Sequence, residues 1–176
     1  LLNDKWGIKA GFMTTIHAYT GTQMILDGPR GKQERPCTAC AAINTIPHST
    51  GAAKAIGKVV PEVNGKLQGH AQRVQVPDGS ITELFTVLEK DATVDEINAA
   101  FKDAFADCAY YGYNDDEIVS GDIVGDTHGG VFDPTQTDVN TVDGLTMART
   151  VAFYDNEYGF TSNMVRTLEY FAEISE

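Results

Sequence analysis

Histidine and arginine side chains occur in the sequence at positions from which they could handle protons and phosphate. His17 lies in a run of Thr, Met, Ile and Tyr residues that is typical of a strand. An imidazole exchanges protons near neutral pH, so it could activate a thiol or return a proton to a reacting group. The alternative, left open by the residue itself, is a core histidine whose hydrogen bonds are satisfied.

Two further features could bind an anion. Ser49, Thr50 and Gly51 stand at the predicted start of a helix, where backbone N–H groups, two hydroxyls and a glycine that permits close approach would surround a phosphate. Arg73 lies in mid-strand among apolar and amide residues, and a guanidinium can donate two parallel hydrogen bonds to one phosphate. An ordinary capped helix and an exposed strand arginine are the alternatives.

The three cysteines show no clear reactive or metal-binding pattern. Cys37 and Cys40 have the Cys-x-x-Cys spacing, but they lack a second Cys/His pair at zinc spacing and do not open a helix after a strand. Cys108 follows an amphipathic segment and is expected to be a thiol of the core. The remaining histidines have no ligand spacing either, so no metal site is predicted.

Strands that would carry the candidate residues are predicted from β-branched and aromatic runs. The first, residues 8–20, places Thr15 and His17 on one face. The turn signal Pro77-Asp78-Gly79 is expected to join the two strands before and after it as a hairpin. Besides the first, the predicted strands are 66–76, 80–89, 117–124, 128–133 and 145–154.

Three helices are predicted from their caps and their apolar periodicity. One opens at Ser49 and ends before Pro61, and the next begins at the capping box Thr93-Val94-Asp95-Glu96. The last is expected from about Asn156 to Ile174. Its apolar stripe, expected to be buried, consists of Phe160, Met164, Leu168 and Phe171.

Together these elements predict an α+β fold, with a mixed, mainly antiparallel sheet and helices packed on one face. The strands do not alternate regularly with helices. Residues 21–48 show no regular period, and so long a loop in a compact domain is usually functional or an assembly surface. No Gly-x-Gly-x-x-Gly occurs, so a complete dinucleotide-binding domain is not predicted.

Composition argues against several classes of protein. The 176 residues include 13 Lys and Arg against 25 Asp and Glu, a formal net charge of −12, so nucleic acid or an anionic membrane would be repelled. No apolar run approaches about 18 residues, so no transmembrane helix is predicted. Three cysteines fit a reducing compartment better than a disulfide scaffold. An anionic ligand must therefore be held by a local site.

Several motifs together resemble those of phosphorylating glyceraldehyde-3-phosphate dehydrogenases, in order from end to end of the chain. They are Met13-Thr14-Thr15-Ile16-His17-Ala18-Tyr19-Thr20, Leu26-Asp27-Gly28-Pro29, Ile46-Pro47-His48-Ser49-Thr50-Gly51-Ala52-Ala53-Lys54, Val63-Asn64-Gly65-Lys66-Leu67 and Tyr154-Asp155-Asn156-Glu157. The resemblance implies that residues 1–176 are the catalytic domain of a cytoplasmic, NAD-dependent enzyme of glycolysis. It also implies that an NAD-binding Rossmann domain and the nucleophilic cysteine lie upstream of Leu1.

The resemblance further implies roles in the reaction for two residues. His17 matches the catalytic histidine, which polarises the cysteine thiol and acts as acid and base during hydride transfer. Asn156 matches the residue that hydrogen-bonds the nicotinamide carboxamide of NAD. The implied mechanism passes through a cysteine thioester, which inorganic phosphate attacks to release 1,3-bisphosphoglycerate.

Two phosphate sites and an assembly are implied as well. Thr20 and Arg73 match residues that hold the C3 phosphate of glyceraldehyde 3-phosphate, while Thr50 and Gly51 match the site of the attacking inorganic phosphate. The family forms homotetramers, which implies assembly through residues 21–48 and the sheet face.

Two departures and three alternatives accompany the resemblance. Relatives usually carry several arginines in the loop where this chain has Arg35-Pro36-Cys37-Thr38-Ala39-Cys40, and usually Tyr where Phe160 stands. The alternatives are the related erythrose-4-phosphate dehydrogenase, a degenerate relative, and a non-catalytic interaction module.

Overall fold

The structure is a computed structural model, and it describes residues 1–23 and 42–175. The helices are α1 (Leu2–Trp6), α2 (Ala52–Val59), α3 (Val94–Phe105) and α4 (Tyr158–Glu173), with a 3-10 turn at Pro61–Val63. The strands are β1 (Ile8–Ala18), β2 (Ile46–Ser49), β3 (Leu67–Val74), β4 (Ser80–Leu88), β5 (Gly112–Tyr113), β6 (Val131–Val142) and β7 (Leu145–Tyr154).

All seven of these strands join one mixed sheet in the order β2-β3-β1-β4-β7-β6-β5. β1 runs parallel to β3, and β5 runs parallel to β6. The other four neighbouring pairs are antiparallel. The prediction of an α+β fold with a mixed, mainly antiparallel sheet is therefore confirmed.

The helices α1, α2 and α3 pack on one face of the sheet around the main core. Leu88 and Ile97 are almost fully buried there, and the ring of Phe101 stacks on Phe132 with 4.1 Å between centroids. α3 begins at the predicted capping box: Thr93 Oγ1 accepts from the Glu96 N–H at 3.2 Å, and Glu96 Oε2 accepts from the Thr93 N–H at 2.9 Å. The helix layer predicted on one face is thus observed.

The opposite face of the sheet is covered at one end only. A small cluster there packs partly buried Ile118 against buried Ile123, Val151 and neighbouring residues. Beyond it, Phe12 on β1 and Phe85 on β4 pair directly across the sheet with 59% and 42% of their surfaces exposed. The structure therefore leaves an apolar area open on the side away from the helices.

The predicted hairpin at Pro77-Asp78-Gly79 is wrong. β1 lies between β3 and β4, so the turn carries the chain across the end of β1 rather than between adjacent strands. The Tyr19 N–H donates to the Val76 carbonyl at 3.0 Å and ties this crossing to β1. The observed hairpin joins β6 to β7 at Asp143 and Gly144, where both residues have positive φ.

Other predictions of local structure also need correction. Residues 117–124 form a loop that contains turns instead of a strand, and β6 begins at Val131 rather than near residue 128. β2 was missed, since four residues containing a proline give little strand signal. Its last residue is Ser49, so the helix predicted to open there begins instead at Ala52, after the N-cap Gly51. Most of the segment 21–48, including the candidate loop residues 24–41, lies outside the described residues.

The apolar stripe of α4 is exposed, against the prediction that it is buried. Phe160 is 72% exposed and Leu168 is 61% exposed, and Met164 and Phe171 are exposed as well. Among the described residues, α4 is held near its start, where Gly159 is buried, and near its middle, where the Arg166 guanidinium donates to the Thr127 carbonyl at 2.8 Å. The periodicity correctly predicted a helix, but the described residues leave its apolar stripe largely exposed.

Candidate active site

One cavity of about 380 Å³ brings together three of the predicted residues. His17, Thr50 and Arg73 all line it. His17 and Arg73 come together because they pair directly in the parallel register of β1 and β3, which places both side chains on one face. Thr50 lies at the junction between β2 and α2 and lines the same cavity.

His17 and Arg73 are in contact within this cavity. Arg73 Nη1 lies 2.9 Å from His17 Nδ1 and donates to the Ala18 carbonyl at 3.2 Å. His17 Nδ1 also lies 2.7 Å from the same carbonyl. These contacts engage only Nδ1, and no described residue hydrogen-bonds Nε2. Nε2 is therefore the ring nitrogen available to exchange a proton with a ligand.

The surroundings of His17 favour its neutral form. Burial lowers the pKa of His17; the Ala18 carbonyl acts in the opposite direction, and the charge of Arg73 lowers the pKa further. Burial also lowers the pKa of Arg73, but a guanidinium starts from so high a value that it remains a cation at neutral pH. The pair thus combines a neutral base with a fixed positive charge.

Arg73 has donors left for an anion. Its Nε is buried and has no hydrogen-bond partner within the part of the chain that the structure describes. A guanidinium has five N–H donors, and Nη1 is the group engaged by Ala18 and His17. Because Nε is buried, the donors that can meet an anion in the cavity are the remaining N–H groups at the end of the guanidinium.

The start of α2 forms the other wall of the cavity. Gly51 is the N-cap residue, and a Cβ added there would meet no atom within 4 Å. Thr50 Oγ1 accepts from the Ala52 N–H at 3.2 Å. Since Ser49, Thr50 and Ala52 line the cavity, the positive end of this helix faces it.

Thr20 and Asn156, by contrast, do not line the cavity. Thr20 follows β1, and its Oγ1 lies 3.0 Å from Thr22 Oγ1 and 3.3 Å from Gln23 Oε1. Asn156 follows β7, and its Oδ1 accepts from Ser80 Oγ at 2.8 Å. Both residues are close along the chain to residues that line the cavity, so they border the site rather than form its wall.

Tyr154 and Ser80 belong to the site but were missed as candidates. Tyr154 lines the cavity, and its ring meets the His17 ring edge-on with 6.0 Å between centroids and 82° between planes. Burial raises the pKa of Tyr154. Its position at the end of a strand, two residues before Asn156, was the available signal. Ser80 gave none, since a serine after a turn is common.

The remaining sequence candidates lie elsewhere. Cys108 is a free thiol and is partly exposed, which corrects the expectation of a core position. Cys37 and Cys40 lie outside the described residues. Within residues 1–23 and 42–175, no group of three or more His, Cys, Asp or Glu side chains could hold a metal ion. No helix in the same ranges is long and apolar enough to cross a membrane.

A histidine beside an arginine, in a cavity that is also lined by residues at the start of a helix, is an arrangement that can exchange a proton and attract an anion. Residues 1–156 match the family model for the C-terminal domain of glyceraldehyde 3-phosphate dehydrogenase. The chain belongs to this family, which confirms the resemblance drawn from the motifs.

The relatives are named glyceraldehyde-3-phosphate dehydrogenase. The one from Clostridium pasteurianum is 56% identical over 176 residues, which is 100% of this chain and 52% of the relative. The one from Streptococcus pyogenes serotype M1 is 59% identical, over 99% of this chain and 52% of the relative. The chain therefore spans about half the length of these curated relatives.

Proposed function

We propose that this chain is the catalytic domain of an NAD-dependent, phosphorylating glyceraldehyde-3-phosphate dehydrogenase. In this proposal the full-length protein oxidises glyceraldehyde 3-phosphate with inorganic phosphate to give 1,3-bisphosphoglycerate. The observation that carries it is the shared cavity, which is lined by a proton-exchanging His17, by Arg73 and by residues at the start of α2. Family membership and the names of the relatives support the same reaction.

His17 is the acid and base of the proposed reaction. A cysteine supplied from outside residues 1–176 gives its thiol proton to neutral His17, and the thiolate, stabilised by the imidazolium so formed, attacks the aldehyde carbon. The imidazolium returns that proton to the developing alkoxide, which gives the hemithioacetal and a neutral His17. His17 Nε2 then accepts the hydroxyl proton of the hemithioacetal as the hydride leaves, so the carbon becomes a thioester. Phosphate attack on this thioester expels the thiolate and completes the turnover.

NAD, when bound, supplies the hydride acceptor. Asn156 fits its nicotinamide end, because a side-chain amide can pair with a carboxamide. Its Nδ2 has a single long contact, 3.5 Å to Glu157 Oε1, so a donor remains for such a partner. The NAD-binding domain and the nucleophilic cysteine are proposed to belong to the full-length protein, upstream of this domain.

The two anion-binding walls of the cavity are assigned to the two phosphates. Arg73, together with Thr20 at the border of the site, binds the C3 phosphate of the substrate, and Thr50 with Gly51 binds inorganic phosphate. The chain carries a net charge of −12, so both anions approach against the overall field. A fixed guanidinium and oriented backbone N–H groups provide the local attraction that binding needs.

Substitutions at the two walls test this assignment. Arg73→Ala should cost on the order of 2–3 kcal/mol of phosphate recognition. The kcat/KM for glyceraldehyde 3-phosphate should fall far more than that for unphosphorylated glyceraldehyde. Any effect through His17 is common to both substrates at one pH, so their ratio isolates the phosphate contact. Equal loss with both substrates would show that Arg73 has only a structural role.

Thr50→Ala should differ in kind from Arg73→Ala. It removes one hydroxyl but leaves Gly51 and the helix N-terminus, so its cost should be about 1 kcal/mol. The KM for inorganic phosphate should rise and thioester breakdown should slow, while the pre-steady-state burst of acylation survives. A lost burst with an unchanged KM for phosphate would contradict the assignment.

A further inference from the structure

Ser80 links the strand that carries His17 to the segment that carries Asn156. It is the first residue of β4 and is fully buried, with 0% of its surface exposed. The Ala18 N–H donates to Ser80 Oγ at 3.1 Å, and Ser80 Oγ donates to Asn156 Oδ1 at 2.8 Å. One hydroxyl thus connects the residue after His17 with Asn156, which is 76 positions away from Ser80 along the chain.

The chemistry of this link fixes the orientation of the Asn156 amide. A backbone N–H can only donate, so Ser80 Oγ uses one lone pair toward Ala18, and in this structure it directs its one hydrogen to Asn156. The Asn156 atom that receives this hydrogen must be an acceptor, which is Oδ1 and not Nδ2. The amide therefore presents its Nδ2 hydrogens away from Ser80.

Backbone contacts on both sides keep the link in place. Gly79, just before Ser80, has a φ of +87°, and a Cβ there would stand 2.0 Å from the Ser120 carbonyl oxygen, so the chain enters β4 through a tight passage. Asp155, just before Asn156, accepts from the N–H groups of Gly125 at 2.8 Å and Glu157 at 2.9 Å. The residues just before both partners of the link are thus closely packed or hydrogen-bonded.

We propose that Ser80 is a positioning residue for the cofactor, setting the Asn156 amide so that it donates from Nδ2. The group that Asn156 recognises is then the carbonyl oxygen of the nicotinamide carboxamide, and not its NH₂. This inference rests on the proposed function, because it takes Asn156 as the residue that meets the nicotinamide. The inference adds the residue that orients Asn156 and the cofactor atom to which Asn156 donates.

The first test uses two dinucleotides with the full-length enzyme in the absence of substrate. NAD is compared with 3-acetylpyridine adenine dinucleotide, which keeps the carbonyl oxygen and replaces the NH₂ by a methyl group. Ser80→Ala should weaken the binding of both, measured by equilibrium titration, by roughly tenfold. Thr86→Val is the matched control, since it removes another buried hydroxyl of β4. It should leave both dissociation constants unchanged.

A measurement without any dinucleotide accompanies these titrations. The Ala18 amide should exchange its hydrogen faster in Ser80→Ala than in the parent, because it loses its acceptor, whereas Thr86→Val should not change that rate. Unchanged binding in Ser80→Ala would overturn the inference. So would a loss confined to NAD, since it would mean that Asn156 reads the NH₂ group.

Asn156→Asp provides a second test that leaves Ser80 intact. A carboxylate still accepts from Ser80 but offers an acceptor where Nδ2 stood, so NAD should bind at least as weakly as to Asn156→Ala. Binding by Asn156→Asp close to that of the parent would overturn the inference. Parent-like binding by Asn156→Ala would instead refute the cofactor role of Asn156 in the proposed function. Weakened binding in Asn156→Ala together with parent-like binding in Ser80→Ala would refute the Ser80 inference alone.

Discussion

At the scale of single residues, the burial of His17 and its contact with Arg73 determine how the site responds to pH. Burial disfavours a charged imidazole, and a cation 2.9 Å from a ring nitrogen opposes a second positive charge as well. Both effects favour a neutral ring in the resting domain. A neutral His17 can accept a proton at once, which is what a base needs when the hydroxyl of the hemithioacetal loses its hydrogen.

Removing the guanidinium should raise the pKa of His17. In Arg73→Ala the repulsive charge is lost and the ring gains access to water, and the two changes act together. The shift can be measured by following the imidazole resonance of His17 during an NMR titration. Arg149→Ala is the control, because Arg149 pairs with Glu83 through Nε at 3.1 Å on the opposite face of the sheet. A His17 pKa that stays constant or falls in Arg73→Ala would contradict the electrostatic account.

His17 should also contribute to the pH dependence of stability. Its pKa in the folded state lies below the ordinary histidine value of 6.5, so its contribution is present above that value and is lost as the pH falls through the folded pKa. His17→Gln should therefore flatten the acid side of the unfolding free energy, by at most about 1.4 kcal/mol per pH unit. Denaturant unfolding of parent and variant at several pH values between neutral and acid would measure this. Parallel curves would contradict it.

Residue types alone pointed to part of the site. His17 and Arg73 have distinctive chemistry, and the motifs around them resemble a known family, so both were found before the structure. Their contact could not be predicted, because it depends on the parallel register of β1 and β3. Ser80 was missed for a related reason: its partners Ala18 and Asn156 are far from it in sequence, and only the folded sheet brings them together.

At the scale of elements, signals that are local in sequence predicted more reliably than those that depend on the neighbours of a strand. The capping box at Thr93 was predicted and is formed, because all its atoms lie within one turn of helix. The turn Pro77-Asp78-Gly79 was also recognised, but the hairpin inferred from it is wrong. Which strands become neighbours is decided by the whole sheet, and here β1 takes the place between β3 and β4.

The capping box offers a test at this scale. Thr93→Ala removes the acceptor for the Glu96 N–H and should lower the free energy of unfolding by about 1 kcal/mol. Thr93→Ser keeps an oxygen at the cap and should lose much less. Chemical denaturation of the two variants under identical conditions would measure the difference. Similar losses in both would mean that the Thr93 methyl group, rather than its hydroxyl, stabilises the start of α3.

At the scale of the whole molecule, the main feature is that a single copy of the domain leaves large apolar surfaces exposed. Two side chains on adjacent strands, Phe12 and Phe85, face outward together, with Met147 exposed on the same side. The stripe of α4 is open as well. We propose that the sheet face is covered by a second subunit, in line with the homotetramer implied by the resemblance.

The effect of salt on association distinguishes an apolar interface from one that is held by ion pairs. Each copy carries a net charge of −12, so bringing copies together costs electrostatic energy that apolar burial must exceed. Added salt screens the repulsion between copies and should therefore strengthen the association. An interface that depended on exposed ion pairs would weaken instead.

Phe85→Glu should therefore dissociate the assembly. The substitution removes apolar area from the sheet face and places a carboxylate where burial would leave it without water, which is unfavourable unless it is paired. Sedimentation velocity of the full-length protein over a range of concentrations should show smaller species, and added salt should restore the association only in part. Val119→Glu is the matched control, because Val119 is 65% exposed in a loop and gains the same charge. If both variants stay assembled, or if both dissociate equally, the sheet face is not the contact that holds the copies together.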